Sequence, residues 1–69
     1  MKVSVYKRIN QFEFCDKPEL EFDNITDAFI AVKFAVETGF EITEFKIEVN
    51  GIEVTYQELA ASIPRDKLN

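Results

Sequence analysis

Polar and apolar residues alternate along this chain in two rhythms, and the changes of rhythm mark its elements. Near the N-terminus, Val3 and Val5 alternate with Ser4, Tyr6 and Arg8, and Lys7 continues the inward phase. That period of two predicts a strand with small apolar side chains on one face. Ile9, Asn10 and Gln11 read as a connection, after which Phe12 and Phe14, alternating with Glu13 and Cys15, predict a second strand. Pro18 breaks this ladder, because proline has no N–H to donate. Beyond it Glu19-Leu20-Glu21-Phe22-Asp23 alternates again, either as the same strand resumed past a bulge or as a short edge strand. In both cases Leu20 and Phe22 point inward. Glu19, Glu21 and Asp23 then form an outward acidic stripe, of the kind that guards an exposed edge against unwanted pairing.

At Asn24 the rhythm changes. Asn24 is a good N-cap, Asp27 places a carboxylate in the first turn, and Gly39 stands where a left-handed residue ends a helix. A helix over residues 25–38 follows. At 100° per residue, Ile25, Ala28, Phe29, Val32, Ala35 and Val36 gather on one face, which should cover a sheet. Ile30 and Phe34 fall on nearly the opposite side, four residues apart among Asp27, Lys33, Glu37 and Thr38. This second apolar stripe is expected either to lie under a loop or the C-terminal helix, or to meet a second copy or another protein.

From Phe45 the period of two returns. Asn50-Gly51 between alternating apolar runs is a strong hairpin signal, since a type I′ turn needs positive φ at both central residues. A two-residue loop sets Val49 against Ile52, Ile47 against Val54 and Phe45 against Tyr56 on a core-facing side. On the other side it sets Glu48 against Glu53 and Lys46 against Thr55. Thr55-Tyr56-Gln57-Glu58 is a capping box, so a short helix starts at Tyr56, with Leu59 and Ile63 as its apolar pair, Ala60 and Ala61 allowing close approach, and Pro64 limiting it. Residues 65–69 read as a frayed tail on which Leu68 can dock.

These elements compose one α+β domain over residues 1–69, with two layers in the order ββαββα. An antiparallel sheet of about four strands is covered by the long helix, and the short C-terminal helix packs at an edge. A chain of 69 residues lies near the size at which one core is marginal, so self-association or a partner is a common supplement. Hydrophobic content of 46% with seven Phe and two Tyr excludes disorder as the explanation of this size. The single cysteine, Cys15, cannot close an internal disulfide, which points to a reducing compartment. The basic start of the chain lacks an apolar leader, and no apolar run approaches ~18 residues, so a cytoplasmic protein without a membrane span is expected.

The net charge of -5 is unevenly spread: residues 1–8 carry +3, residues 9–58 carry -9 and the remainder +1. Phosphate backbones are bound by clustered Lys and Arg, so direct nucleic-acid binding is disfavoured. The basic N-terminal strand, through Tyr6, Lys7 and Arg8, is the one place for it. Directly opposed Glu48 and Glu53, with Glu44 nearby, cost up to about 1 kcal/mol. Water and Lys46, or else a basic partner, would neutralise them.

Catalytic residues are not indicated. The chain has no histidine, hence no usual general base at neutral pH and not the commonest metal ligand. Ser4 and Ser62 have no evident base, Cys15 lacks an activating cation and reads as a half-buried small hydrophobe, and the acids lack calcium-loop spacing. No cofactor, metal or small-molecule substrate is expected. The leading expectation is a small non-catalytic interaction or regulatory protein, of the kind found in bacteria or their mobile elements, forming homodimers or binding a protein through Ile30 and Phe34. The alternative is an inhibitor that presents Glu19, Glu21, Glu44, Glu48 and Glu53 to a nucleic-acid-binding protein in place of phosphates.

Overall fold

A computed structural model describes residues 1–63 of the chain, so Pro64 and the tail at 65–69, with its docking Leu68, lie outside the described residues. The element order is β1 (Val3–Lys7), β2 (Leu20–Phe22), α1 (Ile25–Glu37), β3 (Phe45–Val49), β4 (Ile52–Val54) and α2 (Tyr56–Ala61). A single 3₁₀ turn at Ile42–Glu44 precedes β3. The four strands form one antiparallel sheet in the order β2-β1-β3-β4, the expected α+β fold.

The first strand in the sequence is an inner strand of the sheet. β1 is hydrogen-bonded on both sides, and its alternation leaves Val3 and Val5 0% and 2% exposed beneath the helix layer. α1 lies over β1 and β2, and α2 packs against α1. Val3, Val5, Ala28, Phe29, Val32, Ile47, Leu59 and Ile63 make the core, with the Phe29 and Tyr56 rings stacked at 5.4 Å.

The helix ends behave as their residues require. The Asn24 side chain accepts the Asp27 N–H at 2.8 Å. At the other end Gly39 has φ +115°, and the Gly39 and Phe40 N–H groups donate to Val36 and Ala35 carbonyls, the Schellman arrangement. α1 therefore stops at Glu37, with Thr38 as its cap. The Asn50-Gly51 turn has φ of 52° and 84°, and the ladder pairs Ile47 with Val54, Glu48 with Glu53 and Val49 with Ile52. Phe45–Tyr56 and Lys46–Thr55 pairs do not form, because Thr55 already caps α2 through the Glu58 N–H at 3.0 Å.

Two expectations need correction. Residues 12–15 are not a strand: only Phe14 bridges to Arg8, and the Cys15 N–H reaches the Lys7 carbonyl at 2.8 Å. The Asn10 Oδ1 accepts the N–H groups of Phe12 and Glu13 at 2.8 and 3.0 Å, so the local turn takes the donors that a ladder needs. The chain still returns along β1. Glu19 N–H donates to the Val5 carbonyl and pairing resumes at Leu20, after Asp16, Lys17 and Pro18 have bulged out. Of the two alternatives, Leu20–Phe22 is therefore the short edge strand, since there is no strand at residues 12–15 for it to resume.

The second correction concerns Leu20 and Ile52, both expected to face inward. Leu20, on edge strand β2, is 46% exposed and Ile52 69%. Ile52 does point to the helix side, but it sits on edge strand β4 while α1 covers β1 and β2, so no layer reaches it.

Candidate interaction surfaces

The helix stripe stands free among the described residues. Ile30 and Phe34 are 57% and 69% exposed, because α2 packs on the flank of α1 near Phe29 and not across its outer face. Of the two alternatives for this stripe, covering by a loop or by the C-terminal helix does not occur within residues 1–63.

The open face of the sheet gathers the acids in a way that the hairpin alone showed only in part. Registers of the three strand pairs align Glu21, Ser4, Glu48 and Glu53 in one row across β2, β1, β3 and β4. Two of these carboxylates are paired, Glu21 with Lys2 at 2.7 Å and Glu48 with Lys46 at 3.5 Å. Hydrogen bonding to Glu21, helped by its charge, raises the Lys2 pKa above the ordinary lysine value. Whatever this pair adds to stability is present at neutral pH and is lost as the pH rises through that raised value. Glu19 lies just outside β2, and Glu44 is spent locally, its side chain accepting the Glu41 N–H at 3.2 Å.

Tyr6, Lys7 and Arg8 do not form one basic surface. β1 alternates, so Tyr6 and Arg8 share the open face while Lys7 turns to the helix side opposite Phe45. The Arg8 guanidinium donates to the carbonyls of Thr43, Asn10 and Gln11 at 2.7, 3.2 and 3.0 Å and stacks on Phe14 with its centre 4.6 Å from the ring centroid. Lys46 lies 4.6 Å from the Tyr6 ring centroid and 5.6 Å from that of Phe14. These cations are engaged with aromatic rings and carbonyls, not turned outward together.

At the end of the sheet where β1 leaves and β3 begins, a groove of about 360 Å³ opens between Lys7, Ile9, Phe40 and Phe45. The Phe40 and Phe45 rings, with centroids 6.1 Å apart, are its largest apolar lining groups. Sequence periodicity missed this site because it read Phe12 and its neighbours as strand. Asn10, two residues before Phe12, was the available signal, since asparagine readily closes such turns.

Cys15 is half-buried and unpaired in a disulfide. No cluster of three or more metal-ligating side chains occurs among the described residues, and no described helix is long and apolar enough to cross a membrane. Comparison of the chain with family models, with curated proteins and with solved structures finds no match.

Proposed function

We propose that this chain is a small non-catalytic interaction protein of a reducing, cytoplasmic compartment that associates with itself through the outer face of α1. The observation that carries this reading is the exposure of Ile30 and Phe34 as an apolar pair one turn apart on the face turned away from the sheet. Full burial of such a side chain is worth about 1.5–3 kcal/mol, and each is already partly covered, so four of them across a dimer supply roughly 4–8 kcal/mol. Association itself costs about 4–15 kcal/mol. Only toward the low end of that cost do the four side chains outweigh it, by about 4 kcal/mol at most, which corresponds to a dimer with a Kd of about 1 mM that dissociates on dilution.

Sedimentation equilibrium from micromolar to millimolar protein tests it. The expected result is a concentration-dependent dimer that the double variant Ile30→Ser/Phe34→Ser weakens, with little change in the unfolding midpoint at low micromolar protein, where both forms are monomeric, since both residues are mostly exposed. A strict monomer at millimolar concentration, or a dimer indifferent to both substitutions, would end this reading.

A second reading draws on the aligned row of Glu21, Glu48 and Glu53. Three carboxylates in register on the sheet face turned away from the helices offer a surface to a basic, nucleic-acid-binding protein. Lys2 and Lys46 offset two of them, which is why this reading stands second. It requires that Gln at all three positions abolishes capture of such a protein while the fold survives.

A further inference from the structure

We propose that the turn at residues 9–13 and the groove beside it form a second contact between copies of this chain, made by different residues from the α1 contact. Phe12 is the knob. At 84% it is the most exposed of the large apolar side chains in the described structure, and it stands at the tip of a heavily braced turn. Asn10 Oδ1 accepts the Phe12 and Glu13 N–H groups, Ile9 N–H donates to the Glu13 carbonyl at 2.9 Å, and Arg8 ties the Asn10 and Gln11 carbonyls to that of Thr43. A ring held out on a braced turn loses little backbone freedom on docking, so more of its burial survives as affinity.

The groove of about 360 Å³, lined by Phe40, Phe45 and Ile9, is the hole. It has room for an aromatic side chain, and its lining includes residues 9, 10 and 11 of the same turn that carries Phe12. Knob and hole therefore belong to one patch. A two-fold contact joins the same patch on both copies, so each must present what the other receives, and this patch does. Charge agrees with shape. Glu13 follows the knob, and the groove lining carries Lys7 and Arg8 against Glu44, whose carboxylate already accepts the Glu41 N–H. A Phe12 ring entering the neighbouring groove therefore sets Glu13 against a lining of net positive charge, with Lys7 as its free cation among the described residues, and the reverse pair forms by symmetry. The occupant is accordingly a second copy of this chain. Together with the α1 contact, the molecule would carry two self-complementary surfaces, and copies joined through them alternately extend beyond a dimer.

Sedimentation velocity on the full chain, followed over concentration, separates the two contacts. Phe12→Ser is expected to weaken this association roughly 30-fold or more, as for other central aromatic anchors, with the unfolding midpoint unchanged. Lys7→Glu and Glu13→Lys should each weaken it, and the Lys7→Glu/Glu13→Lys double variant should recover it. In the Ile30→Ser/Phe34→Ser background the Phe12-dependent association should persist. Association unaffected by Phe12→Ser, failure of the double reversal to recover binding, or a monomeric Ile30→Ser/Phe34→Ser variant at millimolar concentration would overturn the proposal. Indifference to Ile30→Ser/Phe34→Ser alone would instead remove the α1 reading and leave this one standing.

Discussion

Glu48 and Glu53 show how a single pair changes meaning when its neighbours are known. The hairpin turn alone sets them opposite each other, and the observed register agrees. Sequence also indicated that Lys46 lay nearby. What it did not show is that Lys46 reaches Glu48 at 3.5 Å while lying over Tyr6, so that one member of the pair is compensated within the sheet and Glu53 is the added negative charge. Glu53→Gln is therefore expected to stabilise the fold by a few tenths to about 1 kcal/mol, read as a higher urea midpoint at unchanged slope. A loss of stability would mean that Glu53 carries an interaction not accounted for by the register. Arg8 is a similar case. Its residue type and place on a basic strand pointed outward to a ligand, whereas its Nε and Nη1 groups donate to three backbone carbonyls.

Elements whose determinants lie within a few residues were legible, and those that depend on a distant competitor were not. The β3–β4 hairpin needs only Asn50, Gly51 and flanking alternation, and α1 needs only Asn24, its 3.6-residue period and Gly39. Gly51 has φ +84° and an added Cβ would meet nothing within 4 Å, so Gly51→Ala costs backbone strain alone. About 1–2 kcal/mol is expected from thermal or urea unfolding, with no change in sheet content by circular dichroism. A neutral substitution would show that the turn relaxes to another type. The return strand failed for the opposite reason. Alternation at Phe12 and Phe14 was real, but Asn10 and Arg8 captured the local backbone groups first, and pairing waited until Leu20.

For the molecule as a whole, the core is small and its elements are interdependent. Leu59 comes from the six-residue helix α2, yet it is 1% exposed and belongs to the same cluster as Val3, Val5, Phe29 and Val32. Leu59→Ala should cost about 2–5 kcal/mol. A domain of this length has only roughly 3–10 kcal/mol in total, at 0.05–0.15 kcal/mol per residue. The variant should thus be partly unfolded at 37 °C by circular dichroism, and full retention of the wild-type midpoint would show that α2 is not integral to the core. The same small size leaves several large apolar residues outside: Ile9, Phe12, Ile30, Phe34 and Phe40 are all at least half exposed. One helix layer over a four-stranded sheet cannot cover them, which is the physical basis for expecting contacts beyond the single chain.

From the order of residues alone came the α+β class, the span and buried face of α1, the capped start of α2, the hairpin register, and the exclusion of histidine-based chemistry. Each rests on periodicity, capping or turn geometry, forces that act between residues close in the chain. Folding in three dimensions determined the order β2-β1-β3-β4, the alignment of Glu21, Glu48 and Glu53 in one row, the engagement of Arg8 and Lys46, and the outward stance of Phe12 beside its groove. Those depend on which distant backbone and side-chain groups compete for the same donors and the same limited core. No local pattern records the outcome of that competition.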